Sequence, residues 1–501
     1  MDFVPLHCHS TFSFHAGVCT VDELVTRAKA LGFPALALTD TDRMSGLILF
    51  YCACRKAGIK PILGVELTDP SNAADRLVLL ARDAQGYGDL CEIITHRQTD
   101  DSFSFEKEFA KPWPRLVFLT ASPRLLTMLA ATPNGQSLYG ELINTSDATR
   151  TRSRRLEEEA ERLTVPLMVS NDSYFLDKSD HGTHRLLAAI GHVSTLSRLK
   201  ESEYAPFGAF LRSGADMAGL FPRHRNAIAE TRRVADLCNV ELDLGKWIMP
   251  RIEVPEGFTP ESYLAKLARE GLSANYGGKA AFEQARRIQE MELDTIEKLG
   301  YPSYFLIVKD VHDWASSRLA GGYRRPSDTA ILRGSAANSI TFYNLGVSTL
   351  DPIKNDLYFQ RFLNEERASP PDADLDFGWD EREHALDYMV ERWGRERVAI
   401  TCTINHFRGR AALREVAKAM GYGEEQVTEI IKYQKSKNNK IDTGEIHLIA
   451  GRAAAIQGKP RFLGQHPGGV LVTNDPIWRH TACEYTVSPL PTVYCLPNLR
   501  E

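Results

Sequence analysis

A chain of 501 residues exceeds what one ordinary hydrophobic core organises, so two to four domains are expected. Its hydrophobic fraction of 43% and charged fraction of 25% are those of a globular chain, and a net charge of −5 gives no overall attraction to nucleic acid, so any such contact must use local basic patches. The nine cysteines are scattered and odd in number, and the lone C-x-C of Cys52 and Cys54 reads as buried small residues, which points to a reducing cytoplasm rather than a disulfide framework. Met1-Asp2-Phe3-Val4-Pro5 lacks the basic and apolar regions of a signal peptide. No apolar run is long enough to span a bilayer, so a cytoplasmic location without membrane partners is expected.

From about residue 3 to 240, short apolar strands alternate with helical stretches. Strands are expected at Phe3 to His7, Ala35 to Leu38, Ile62 to Leu67, Arg76 to Leu80, Leu116 to Thr120 and Pro166 to Ser170, with helices at Val21 to Leu31 and Gly46 to Ala57. The alternation implies a mainly parallel sheet, open or closed into a barrel, with its site at the carboxyl ends of the strands. His7, His9, Asp40, Glu66, Asn171 and Asp172 stand at those ends. His7 and His9 share one face of an extended segment, and with Glu66 and Asp172 they form a candidate metal cluster; the competing reading is a set of hydrogen-bonded buried side chains.

In order, Leu6-His7-Cys8-His9-Ser10, Leu38-Thr39-Asp40, Gly64-Val65-Glu66 and Ser170-Asn171-Asp172 resemble the motifs of the polymerase-and-histidinol-phosphatase (PHP) domain. That domain is a distorted (β/α)7 barrel that opens the alpha subunit of bacterial DNA polymerase III. The resemblance implies metal ligands at His7, His9, Glu66 and Asp172, but the pattern is degenerate. Ala16 stands where the family has aspartate, Thr41 where it has histidine, Arg76 and Tyr174 at later histidine positions, and Ala121 at the cysteine position. The expectation is a structural barrel with at most weak Zn²⁺ or Mn²⁺ binding; a metal-dependent phosphoesterase is the alternative.

Trp247 to Phe258 carries Pro250, Pro255 and Gly257 and reads as a linker. Ser262 to Leu299 is strongly helical and stops at Gly300. The apolar run Tyr304 to Val308 leads into helical Asp310 to Arg318, and the loop Gly321 to Asp328 follows. Arg333-Gly334-Ser335 precedes a helical Ala336 to Tyr343, so freed backbone N–H groups there suit an anion, although Gly-Ser is also an ordinary cap. Arg361 and Arg367 can neutralise phosphate or pair with Glu365 and Glu366. They lead into Pro370-Pro371-Asp372-Ala373-Asp374-Leu375-Asp376-Phe377, where the prolines open a strand and alternation puts Asp372, Asp374 and Asp376 on one face. Carboxylates roughly 6–7 Å apart along a strand repel without a cation, and Mg²⁺ is held by such groups together with substrate phosphates. A solvated acidic face is the bland alternative.

The motifs from Gly300-Tyr301-Pro302-Ser303-Tyr304-Phe305-Leu306-Ile307 through Arg333-Gly334-Ser335-Ala336-Ala337-Asn338-Ser339 and Arg361-Phe362-Leu363 to the acidic strand resemble the catalytic module of the bacterial DNA polymerase III alpha family. They look most like its error-prone, translesion-type members. The resemblance implies a polymerase-beta-like α+β palm with a helical thumb insertion. Asp374 and Asp376 would hold two Mg²⁺ ions, with Asp372 in support, and Arg333, Gly334, Ser335, Arg361 and Arg367 would bind the nucleotide. Leu332 stands where the family has glycine. The basic helical run Asn405 to Gly421, with Arg408, Arg410, Arg414 and Lys418, matches the thumb and is expected to track DNA, as is the polar stretch with Lys432, Lys435, Lys437 and Lys440. Gly464 to Val472 resembles the returning palm strand. The expected domains are 1–245 (PHP), 246–404 (palm with its preceding helices), 405–462 (thumb) and 463–501 (returning palm). The expected function is template-directed synthesis from dNTPs on primer–template DNA. The chain stops before the family's third carboxylate and fingers, so a second polypeptide is expected to supply them; a non-catalytic DNA-binding or assembly fragment is the remaining alternative.

Overall fold

The computed structural model describes residues 3–245, 248–318, 330–366, 371–378, 381–433, 443–485 and 491–493; Arg367, Pro370, the 321–328 loop, Lys435, Lys437 and Lys440 lie outside them. Two compact units form, one from residues 1–242, 400–468 and 478–495 and the other from 243–399 and 469–477.

The first unit begins with α1 (Val21–Ala30), β1 (Ala35–Leu38), α2 (Leu47–Ala57), β2 (Lys60–Asp69), β3 (Asn72–Ala81), α3 (Ala84–Thr99), α4 (Phe105–Glu108) and β4 (Leu116–Thr120). It continues through α5 (Pro123–Ala130), β5 (Leu138–Ile143), α6 (Asp147–Leu163), β6 (Leu167–Ser170), α7 (His181–Gly191), α8 (Gly214–Leu220) and α9 (Arg225–Leu237). The six strands pair in chain order. The sheet is mainly parallel, as expected, through β1–β2, β4–β5 and β5–β6, with one departure: β3 runs antiparallel to both β2 and β4. Only Pro70 and Ser71 separate β2 from β3, and so short a connection can only reverse the chain. The extended segment from Val4 to His9 has one edge on β1, where the Ala37 and Thr39 N–H groups donate to the Pro5 and Cys8 carbonyls (both 2.9 Å). Its other edge meets the chain after β6, where Ser173 donates to the His7 carbonyl (3.1 Å) and His9 donates to the Ser173 carbonyl (2.8 Å). This seventh segment closes the sheet.

Alternation divides the strand residues between two apolar layers. Leu36, Leu38, Leu63, Val65, Leu77 and Leu79 join one cluster, while Ala35, Ala37, Ile62, Val78 and Leu80 join another. A sheet buried on both faces produces this pattern, and it explains why the strands read as continuous apolar runs.

The second unit contains α10 (Pro260–Tyr276), α11 (Phe282–Lys298), α12 (Pro302–Arg318), β7 (Ile331–Arg333), a 3₁₀ turn (Gly334–Asn338), α13 (Ile340–Asn344), β8 (Asp374–Asp376) and α14 (Arg382–Trp393). The single helix expected over Ser262 to Leu299 is two, because Gly277 and Gly278 break it and Gly278 takes φ +73°. The apolar run Tyr304 to Val308 lies inside α12 rather than ahead of it. Its core joins Leu264, Ala268, Ile296, Phe305, Phe342 and Phe362, with the Phe305 and Phe342 rings stacked 4.2 Å apart.

Beyond it come β9 (Val398–His406), α15 (Gly409–Ala419), α16 (Glu424–Tyr433), α17 (Thr443–Ile456), β10 (Pro460–Val472), β11 (Cys483–Tyr485) and β12 (Pro491–Val493), with the sheet order β10-β9-β12-β11. The helix expected from Asn405 starts later because Asn405 and His406 finish β9. Within the first unit, Leu186 and Leu187 of α7 share a core with Ala412, Val416 and Ile449 of α15 and α17. Among the described residues no helix is long and apolar enough to cross a membrane.

Gly271 of α10 lies so close to the Asn344 carbonyl that an added Cβ would stand 1.8 Å from its oxygen. Gly271→Ala must therefore push α10 away from α13. We expect a loss of about 3 kcal/mol, read as an earlier denaturant midpoint for the second unit.

Candidate functional site

The barrel brings four sequence-predicted residues together. Ligand atoms of His7, His9, Glu66 and Asp172 lie within 4.8 Å of one another. His7 and His9 come from the closing segment, Glu66 from β2, and Asp172 from the turn after β6, where it takes φ +45°. Aspartate tolerates that left-handed conformation better than most residues, and here it turns the carboxylate toward both imidazoles. His7 Nδ1 donates to Glu141 Oε1 (2.7 Å) and Nε2 donates to Glu66 Oε2 (3.1 Å). His9 Nε2 faces Asp172 Oδ1 (3.2 Å). Ser13 Oγ gives its proton to Asp40 Oδ1 (2.7 Å), so His9 is the donor in its 2.9 Å bond from Nδ1 to Ser13.

Two imidazoles and two carboxylates suit Zn²⁺ or Mn²⁺ by donor type. The surroundings, however, already supply a cation. Arg76, projecting from β3, donates to both oxygens of Glu66 (3.0 and 3.3 Å) and to the Tyr174 hydroxyl. Thr41 Oγ1 donates to Glu66 as well (2.9 Å), and the Tyr174 ring stacks on His9 at 4.0 Å. Three positions where the resemblance expects histidine are thus occupied by side chains that hydrogen-bond to, or stack on, the remaining ligands. Burial alone would push Glu66 up, but Arg76 and the two histidines overcome it and hold the carboxyl well below its usual range. Burial likewise pushes His7 down, and the Glu141 and Asp172 carboxylates outweigh it, so its pKa lies well above the ordinary value. Asp40 serves the frame: it accepts from the Ser10 N–H and from the Ser10 and Ser13 hydroxyls, each at 2.7 Å.

Glu141 was missed by sequence reasoning because β5 was not foreseen. Its signal is a single acidic residue inside the apolar run Leu138–Ile143.

In the second unit, β7 and β8 pair antiparallel, with Ile331 opposite Asp376, Leu332 opposite Leu375 and Arg333 opposite Asp374. Asp372, Asp374 and Asp376 are exposed, while Ala373 and Leu375 pack on the core, as alternation requires. Arg333 Nε donates to Asp376 Oδ2 (2.8 Å). Gly334 takes φ +75°, and a Cβ there would meet Asp374 Oδ2 at 3.1 Å, so glycine lets the backbone approach the carboxylate. Leu332, in place of glycine, is buried beneath the pair. Exposed oxygen donors on one strand face suit Mg²⁺ by charge and hardness. Ser335 follows at the start of the 3₁₀ turn, and Arg361 is exposed on a second short turn.

Of the basic residues expected to meet DNA, Arg408 and Arg410 are exposed at the start of α15. Arg414 is bridged to Glu424 (3.0 Å), and Lys418 binds the same carboxylate.

A PHP-type barrel carrying a degenerate ligand cluster, and a second unit with paired carboxylates beside an Arg-Gly-Ser segment, define the class. Residues 5–163 match the PHP domain, and residues 262–492 match the bacterial DNA polymerase III alpha NTPase domain. The chain thus carries, in order, a PHP domain and a DNA polymerase III alpha domain. It is 32% identical to the error-prone DNA polymerase of Pseudomonas paraeruginosa over 95% of this chain and 47% of that protein. It is 31% identical to the DNA polymerase III subunit alpha of Halalkalibacterium halodurans over 98% of this chain and 46% of that protein. The corresponding subunit of Bacillus subtilis is 29% identical over 95% of this chain and 45% of its own length. The chain therefore spans about half the length of the curated relatives it matches.

The raised pKa of His7 fixes a pH dependence. Its contribution to stability is complete below about 6.5, the unfolded value, and is lost as pH rises through the folded value. Glu66 and Asp172 are depressed and contribute above the ordinary carboxylate range, losing effect only in acid. Thermal melts of the first unit should thus weaken on the alkaline side, and His7→Gln should flatten that slope.

Proposed function

We propose that this chain provides the palm of an alpha-type DNA polymerase that extends a primer on template DNA from dNTPs. The observation that carries this reading is the pairing of β7 with β8, which sets Arg333 and Gly334 against Asp374 and Asp376 although some forty residues separate the two motifs. Asp374 and Asp376 would hold two Mg²⁺ ions, which when bound supply activation of the primer 3′-OH and charge stabilisation on the departing pyrophosphate. Gly334 and Ser335 would lie along the triphosphate. Arg333, now on Asp376, would exchange that partner for phosphate oxygens, with Arg361 and Arg367 adding positive charge. Asp372 would reinforce the negative field of the strand. Arg408 and Arg410 would take DNA phosphates, while Arg414 and Lys418 would first have to leave Glu424. The remaining polymerase elements, including a third carboxylate and the fingers, would come from polypeptide outside these 501 residues, in cis or as a second chain. Such a polymerase would work in the cytoplasm.

In the polymerase containing this chain, Asp374→Ala or Asp376→Ala should lower primer extension by about 10³-fold or more, with primer–template affinity retained. Near-normal extension by either variant would overturn the assignment.

For the barrel we infer a structural role in which Arg76 supplies the charge that a metal would otherwise bring. After dialysis, elemental analysis of the purified chain should find well under one equivalent of Zn²⁺ or Mn²⁺. Stoichiometric retention would point instead to the phosphoesterase reading.

A further inference from the structure

Helix α11 carries a carboxylate on its apolar face. Ala285, Gln289, Glu292, Leu293 and Ile296 recur at the spacing that places them on one side of a helix, and all five are buried. Glu292 has no exposed surface. It accepts hydrogen bonds from Ser339 Oγ (2.8 Å) and from the backbone N–H groups of Ile340 (2.9 Å) and Thr341 (2.9 Å). Ser339 Oγ in turn accepts from the Phe342 N–H (3.2 Å). Beside this knot Asn344 Nδ2 donates to Gln289 Oε1 at 2.5 Å.

Withdrawing a carboxylate from water is costly, and among the described residues Glu292 is met by neutral hydrogen-bond donors. An apolar residue would pack this face at lower cost. What the carboxylate adds is register: three donors on consecutive residues fit its two oxygens in one placement of residues 339–341. That placement fixes the exit of the segment 333–338. The entry is fixed by the β7–β8 register, and Gly334 lies between the two anchors against Asp374.

We propose that Glu292 is a positioning residue which, from beneath the site, sets the Arg333–Asn338 segment at the distance from Asp374 and Asp376 that a nucleoside triphosphate requires. This rests on the polymerase reading given above.

The test uses the complete polymerase containing this chain, with dATP and Mg²⁺ as the nucleotide probe. Equilibrium dATP binding, primer–template binding and thermal melting are measured for wild type, Glu292→Ala and Ser339→Ala. Glu292→Ala should weaken dATP binding by about 10-fold or more, and Ser339→Ala, which removes one of three donors, by about threefold, both with primer–template affinity unchanged. Hydrogen exchange at the amides of residues 334–338 should quicken in the same order. If Glu292→Ala fails to fold, Ser339→Ala carries the test. Folded variants with wild-type dATP affinity overturn the role of Glu292 and leave the polymerase reading standing. Parallel weakening of dATP and primer–template binding overturns it too, since that reports general loosening. A wild-type protein that neither binds dATP nor extends a primer overturns both.

Discussion

Burying a carboxylate is the constraint on which both units turn. Removed from water, such a group must be met by cations or by several donors, or it destabilises the fold by several kcal/mol. The two units meet this demand differently. Glu66 in the barrel is matched by Arg76, His7 and Thr41, and the positive charges hold it ionised far into acid. Among the described residues Glu292 is matched by dipoles; burial outweighs them and its pKa is pushed up to about 7. A formal cation beside the carboxylate compensates desolvation more completely than three neutral donors do.

Exposure then separates the buried carboxylates of the frame from those on the β8 face. Glu66 has spent its lone pairs on neighbours from three different segments, so its oxygens define the frame. Asp374 and Asp376 face solvent, Arg333 bridges Asp376, and hydration moderates their mutual repulsion. Oxygens of that kind remain available to a hard cation. The same functional group therefore closes one site and leaves the other open.

Much of this was legible in the sequence because it is local. Strands such as Leu116–Thr120 and helices such as Leu47–Ala57 follow from apolar runs and helical spacing. Alternation alone placed the three aspartates on one face. What escaped depends on partners far along the chain. The strand Leu138–Ile143 is short and contains glycine and glutamate, so it reads as a loop until β4 and β6 flank it, and Glu141 was lost with it. β9 was hidden because Asn405 and His406 resemble a helix start. The partnership of Arg333 with Asp376 exists only through strand pairing across some forty residues. Glu292 escaped as well. It shares a helix face with Ala285, Gln289 and Ile296, but a charged residue there reads as solvated until the structure shows its donors on residues 339–341.

The packing of the barrel also bears on why it would persist with a degenerate metal cluster. The helices bearing the basic residues do not stand on a core of their own. Ala412, Leu413, Val416 and Ala417 of α15 bury their side chains in a cluster shared with Leu186, Leu187 and Ala189 of α7. Arg408 and Arg410 therefore project from a base that α7 helps to build. In the proposed polymerase, force on those arginines from a DNA backbone would pass into the barrel, and holding them in place would need a barrel that is rigid rather than catalytic. In that reading Arg76, by charge-matching Glu66 from within the chain, would support such a barrel without dependence on metal supply.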